Sequence, residues 1–143
     1  MANDKEPVWS KIKLRQSVDD ILKYGPSIEV IVSDVIGGPN VNALAQIDTG
    51  AAGTGISKPL ATALNLKPVG RGEVHQPGLP PIHAPYFRVR IALPSGDIET
   101  DVVGLITLDP PHDILIGRDF LARCRLTVDF TAGTTTLHIR ATP

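Results

Sequence analysis

Asp48-Thr49-Gly50-Ala51 follows the apolar run Leu44-Ala45-Gln46-Ile47, so a carboxylate arrives at the end of a segment suited to burial. Asp and Gly alone are ordinary turn residues. A second motif, Ile114-Leu115-Ile116-Gly117-Arg118-Asp119, gives the first one meaning: a short apolar run closed by a glycine and an Arg-Asp pair. Two carboxyl groups in contact cannot both ionise, so they hold one proton between them. The ionised member can take a proton from water while the protonated member donates to a polarised carbonyl. The apparent pKa values then belong to the pair. This chain carries one Asp-Thr-Gly; Asp97-Ile98-Glu99 and Asp129-Phe130-Thr131 do not fit the pattern. A second carboxylate must therefore come from a second copy, and a two-fold axis supplies it by placing identical residues opposite each other.

In this order and spacing, the two motifs resemble the active-site motif and the supporting apolar-apolar-Gly motif of the retropepsin-like aspartic proteases. The resemblance covers roughly residues 27–131. It implies an all-β fold, a closed β-barrel or sandwich with one or two short helices and one lobe per subunit. It also implies an aspartic endopeptidase acting on an extended polypeptide, a homodimer with a dyad of two Asp48 residues, and neither cofactor nor metal. By resemblance Asp48, Thr49 and Gly50 form the catalytic loop, with Thr49 bonding across the dimer axis. Gly50 has no Cβ, so the chain can turn sharply and substrate can come close. Ala51 and Ala52 fall on the floor of the cleft. Ile114, Leu115, Ile116 and Gly117 match the segment under the loop, and Arg118 and Asp119 match the Arg-[Asp/Asn] that follows it. Retroviral members carry an acidic residue where this chain has Ala52, so the ion pairs of its dimer differ.

The Gly/Pro-rich stretch Arg71 to Pro85 stands where that family places its flap, with His75, Gln76, Pro77, Gly78 and Leu79 as substrate contacts. Its prolines suggest a stiff lid or an irregular loop. His75 and His83 flank the tip, and their titration is expected to add a pH dependence beyond that of the dyad.

The elements that must position these residues are mostly strands. Ile28, Val30 and Val32 alternate with Glu29, Ile31 and Ser33, and Gly37-Gly38-Pro39-Asn40 turns the chain into Val41 to Ile47, predicting a hairpin. Ser57 suits a helix N-cap with Pro59 in the first turn, and Asn65 closes that helix. Phe87, Val89, Ile91 and Leu93 predict a strand, and Ile98 to Ile106 its return. Asp119 to Cys124 suits one or two helical turns. Leu126, Val128 and Phe130 predict a strand, and Thr134 to Ile139 the last one. Residues 1–24 read as an extension with a short helix over Ser17 to Tyr24, ended by Gly25-Pro26; residues 25–143 read as the domain.

With 143 residues, 42% of them apolar, the chain is long enough for one domain with a real core. A net charge of −1 offers no general attraction to nucleic acid or anionic lipid, and neither partner is expected. Arg118, Arg123 and Arg125 read as a solvated helix face. One cysteine, Cys124, excludes an internal disulfide and a cysteine zinc site. The polar start Met1 to Pro7 lacks a signal-peptide core, and no run approaches a membrane span, so a cytoplasmic protein is expected. Two other readings stay open. The fold could serve as a catalytically weak dimerisation or peptide-binding module. Residues 1–24 could also keep a protease latent.

Overall fold

Alternating apolar residues put one face of each strand inside, and the chain closes those faces into a barrel. The structure is a computed structural model that describes residues 9–75, 78–94, 96–105, 108 and 111–140. The elements run β1 (Trp9–Arg15), α1 (Val18–Tyr24), β2 (Ser27–Asp34), β3 (Val41–Ile47), β4 (Gly55–Ser57), α2 (Lys58–Ala63) and β5 (Gly70–Val74). They continue with β6 (Ile82–Ala92), β7 (Ile98–Leu105), β8 (Ile114–Ile116), α3 (Arg118–Leu121), β9 (Cys124–Asp129) and β10 (Thr134–Arg140).

The order β2-β3-β8-β4-β7-β6 closes when β6 pairs back onto β2, from Ile31 opposite Ala92 to Asp34 opposite Val89. Closure removes the free edges that an open sheet would present. The β3–β8 and β4–β7 pairs are parallel, and the other barrel pairs are antiparallel. Ile28, Val32, Ala45, Ile56, Ile91 and Ile116 are fully buried in the barrel core. Each of the isoleucines and Val32 contributes about 1.5–3 kcal/mol on leaving water. Leu60, Ala61 and Leu64 of and just after α2 join that core.

Helix α2 forms where its end signals stand. Ser57 accepts from Leu60 N at 3.2 Å, Pro59 occupies the first turn, and Asn65 ends the helix with φ of 54°. Helix α1 likewise has Ser17 as its N-cap, accepting from Asp20 N at 3.0 Å, and Gly25 beyond its end with φ of 78°. The strand β5 extends the sheet from β6 as a regular antiparallel hairpin, Gly70 opposite Tyr86 through Val74 opposite Ile82. The proline content suggests a loop there, but Pro85 sits within β6 without ending it.

Three features depart from the expectations. Residues 9–15 are a strand: β1 pairs with β10 along all seven residues, and β9 completes a second, three-stranded sheet. Ser10, Ile12 and Leu14 turn inward while Lys11, Lys13 and Arg15 face out, an alternation masked by the charges. Helix α3 stops at Leu121, because the period-two pattern of β9 already begins at Cys124. Phe130 is not a strand residue; it lies in the turn after β9 and is half exposed. Arg118, Arg123 and Arg125 consequently share no helix face, since only Arg118 belongs to α3. The strands Ile98 to Ile106 and the start Met1 to Pro7 run partly or wholly outside the described residues.

Candidate active site

Strand β3 ends at Ile47, and β8 lies beside that end in parallel, Ile47 opposite Ile116. Asp48 is tied down at once: its N–H donates to the Ile116 carbonyl at 3.0 Å. The loop then folds on itself. Gly50 N donates to Asp48 Oδ1 at 2.9 Å, and Ala51 N to the Asp48 carbonyl at 3.2 Å. Asp48 and Ala51 are half-buried, whereas Thr49, Gly50 and Ala52 are exposed. The loop therefore has a fixed base and an open tip.

The base is fixed by the segment after β8. Arg118 N donates to the Ala51 carbonyl at 2.8 Å and Asp119 N to the Ala52 carbonyl at 3.2 Å. The Arg118 guanidinium donates to the Thr49 carbonyl at 2.9 Å. Glycine is required at 117, because a Cβ there would overlap the Gly53 carbonyl and crowd that of Ala51. The residues of the two motifs, 66 positions apart at their starts, thus form one hydrogen-bonded unit.

Thr54 holds the centre of that unit, and nothing in the motifs singles it out. It is 2% exposed. Its hydroxyl donates to Asp119 Oδ1 at 2.7 Å and accepts from Gly117 N at 3.1 Å. Its own N–H donates to Asp119 Oδ2 at 3.2 Å, and Phe120 N donates to Oδ1 at 2.8 Å. Asp119 is thus an acceptor for the loop's far side and for the start of α3 at once. The available signal is a polar residue inside a glycine-rich run, Gly53-Thr54-Gly55, leading into buried Ile56. A buried hydroxyl needs partners. Ile114 and Ile116 are buried, Leu115 is half-buried, and all three lie in β8 under the loop's base. One step back, Ser57 Oγ donates to Asp113 Oδ1 at 2.8 Å, so the α2 cap also anchors the entry to β8.

The flap residues stand apart from this unit. His75, Gly78 and Leu79 are exposed on the β5–β6 hairpin, while Gln76 and Pro77 lie outside the described residues. His75 Nε2 is 3.6 Å from Glu73, and His83 is directly opposite Glu73 in the hairpin. Among the described residues no hydrogen bond joins the flap to the Asp48 loop. An apolar recess of about 660 Å³ lies between α2 and the β6–β7 pair, lined by Ala61, Leu66, Pro85, Phe87 and Gly104. Asp48 does not line it.

Cys124 is half-buried in β9, and burial pushes its thiol up to about 11, against which the nearby Arg123 charge acts only weakly. A neutral thiol is a poor nucleophile. Among the described residues no three His, Cys, Asp or Glu side chains gather as metal ligands do. No described helix is long and apolar enough to cross a membrane.

No protein-family model and no curated protein sequence matches this chain. Solved structures do resemble it, among them the following two. A Legionella pneumophila protein of unknown function is 14% identical over 66% of this chain and 83% of its own, but its TM-score of 0.40 carries no argument. A retropepsin-like aspartic protease from Rickettsia conorii superposes with a TM-score of 0.56 over 99% of this chain and 100% of its own, at 16% identity. That span takes in β1 and α1 as well as the barrel. The closed barrel, the loop at the end of β3 and the whole-chain superposition give one conclusion: this chain has the retropepsin-like fold.

Proposed function

We infer that this chain is one subunit of a homodimeric aspartic endopeptidase, with Asp48 from each of two copies forming the catalytic dyad. The observation that carries this reading is the Asp48 loop. It is clamped from below by Ile116, Gly117 and Arg118 while its tip at Thr49 and Gly50 stays open. A loop that only turned the chain would need no such clamp. The likeness to an aspartic protease from Rickettsia conorii supports the same reading.

The chemistry follows from two carboxyls on a two-fold axis, the shared-proton arrangement for which aspartic protease dyads are the standard illustration. The ionised Asp48 takes a proton from water, and the water oxygen attacks the peptide carbonyl carbon. The protonated Asp48 of the partner donates to the carbonyl oxygen as it becomes tetrahedral. Collapse of that intermediate breaks the C–N bond, and the amine leaves with a proton from the dyad. Gly50 N–H, bonded to Asp48 Oδ1, orients the carboxylate. Thr49 reaches across the axis to stiffen the pair, and Ala51 and Ala52 leave room for the substrate backbone. An extended polypeptide is the substrate, paired by its backbone between the floor and the β5–β6 flap.

The test is digestion of a diverse peptide mixture from pH 3 to 8, read by mass spectrometry, beside Asp48→Asn. Cleavage that vanishes in the variant supports the reading. A dimeric wild type that binds peptides but cuts none, with binding lost in the variant, favours the peptide-binding module instead.

A further inference from the structure

The second sheet carries a charge pattern that the overall balance hides. Paired residues in an antiparallel sheet point to the same face. The register of β1, β10 and β9 therefore places Lys11, Lys13, Arg15, His138, Arg140 and Arg125 on one face, with Trp9 at its end. The opposite face presents Ile12, Leu137, Ile139 and Leu126 to the core. On the outer face Asp129 is the one acid, and its Oδ1 is engaged in its own turn, accepting from Thr131 N, Thr131 Oγ1 and Ala132 N. None of the basic residues forms an ion pair among the described residues. The chain can neutralise such residues when they serve the sheet: on β6, Arg88 and Arg90 pair with Glu99 and Asp101 of β7. Protection of an edge strand would account for Lys11 and Lys13, but not for Arg140 and His138 on the central strand.

We propose that this face docks on an anionic phospholipid surface. Three observations favour a bilayer over another polyanion. First, the cations are spread over three adjacent strands, roughly 10 Å wide and 20 Å long, with no projecting helix or ribbon among the described residues to enter a groove. Second, the aromatic ring on the strands themselves is already occupied, with the Arg125 guanidinium 4.6 Å from the Trp9 ring centroid, and Phe130 stands at the opposite end, so the face offers no row of adjacent rings for stacked bases. Third, exposed apolar side chains stand at the Arg15 end. Phe130, next to Asp129, is 50% exposed; Val18 and Leu22, one helical turn apart on α1, are 46% and 68% exposed, with the exposed acids Asp19 and Asp20 between them. The bond from Gln16 N to the Gly133 carbonyl holds α1's start and that turn together. Basic charge beside exposed apolar groups is what an anionic bilayer interface accepts. At the other end, Trp9, Arg123, Arg125 and Arg140 line a recess of about 310 Å³, and the buried Arg140 Nε has no acceptor among the described residues. A lipid phosphate oxygen would supply one. A second copy on this face would set its cations against themselves.

The inference does not depend on Asp48 chemistry, and the test uses the full chain with Asp48→Asn as an equal partner. Sedimentation with vesicles of phosphatidylcholine alone, or with about one third phosphatidylglycerol, reads binding at roughly 0.1 M and 0.5 M salt. Binding to the anionic vesicles alone, and release at the higher salt, are expected. Lys11→Gln/Lys13→Gln/Arg15→Gln should bind about 100-fold more weakly, at about 1 kcal/mol per charge. Lys58→Gln/Lys67→Gln/Arg71→Gln, with the same change in net charge, should bind like wild type. Circular dichroism confirms that both variants are folded, and a Phe130→Ser variant provides a second reading, with weaker binding and an intact sheet. Equal sedimentation with neutral vesicles, or equal loss in both triple variants, would overturn the proposal. So would capture of a single-stranded oligonucleotide or of polyglutamate in preference to the vesicles.

Discussion

Removing the Thr54 hydroxyl should loosen the Asp48 loop from beneath. Thr54→Val keeps the shape of the side chain and deletes its one oxygen. Two bonds go at once, the 2.7 Å bond to Asp119 and the 3.1 Å bond from Gly117 N. Gly117 is buried, so its N–H is left without an acceptor, which costs about 1–3 kcal/mol. The bond to the partly exposed Asp119 carboxylate adds about 1 kcal/mol. The sum, about 3 kcal/mol, lies within the stability of an ordinary domain, so the variant folds. At this chain length it lowers the melting temperature by roughly 8–12 °C. Thr54→Ser keeps the oxygen and loses a methyl, which costs about 1 kcal/mol. Thermal unfolding by circular dichroism at one matched protein concentration, since a dimer's melting point depends on concentration, should rank wild type, then Ser, then Val. The activity of the Val variant should fall further than its stability implies, because Gly117 and Asp119 hold the residues on both sides of Asp48. A Val variant that melts with wild type, or above Ser, would refute the argument.

Gly117→Ala forces a methyl against the Gly53 carbonyl; we expect loss of peptide cleavage with the barrel still folded, seen by circular dichroism beside the cleavage assay. Cys124, with its thiol raised to about 11 from 9.0, should alkylate on the order of 100-fold more slowly at pH 8 in the folded protein than in urea, by mass spectrometry. Because that value is raised on folding, its contribution to stability is complete below pH 9.0 and is lost as pH climbs toward 11, so urea midpoints should fall over that window.

The parts of this architecture legible in the sequence are those written in local chemistry. Ser57, Pro59 and Asn65 mark α2 because end signals act within one turn. Ile114 to Gly117 is legible because an apolar run with a glycine is needed wherever a strand supports a tight loop. Thr54 is not legible, since its partner Asp119 lies 65 residues away and no local rule links them. Strand β1 was hidden by its outward charges, although Lys11-Ile12-Lys13-Leu14-Arg15 alternates with period two. The end of α3 is not legible locally, because Cys124, Leu126 and Val128 fit a strand only when Arg125, Thr127 and Asp129 form its outer face. Net charge misleads in the same way. A sum of −1 is compatible with a sheet face that is almost wholly basic.

The proposed active site consists of two Asp48 carboxyls from two chains sharing one proton. Mixing wild type with Asp48→Asn at fixed total protein, after subunit exchange, tests this directly. A shared dyad makes every mixed dimer inactive, so activity follows the square of the wild-type fraction and an equal mixture retains about one quarter. Activity proportional to the wild-type fraction, about one half in the equal mixture, would mean that each chain works alone and would contradict the shared site.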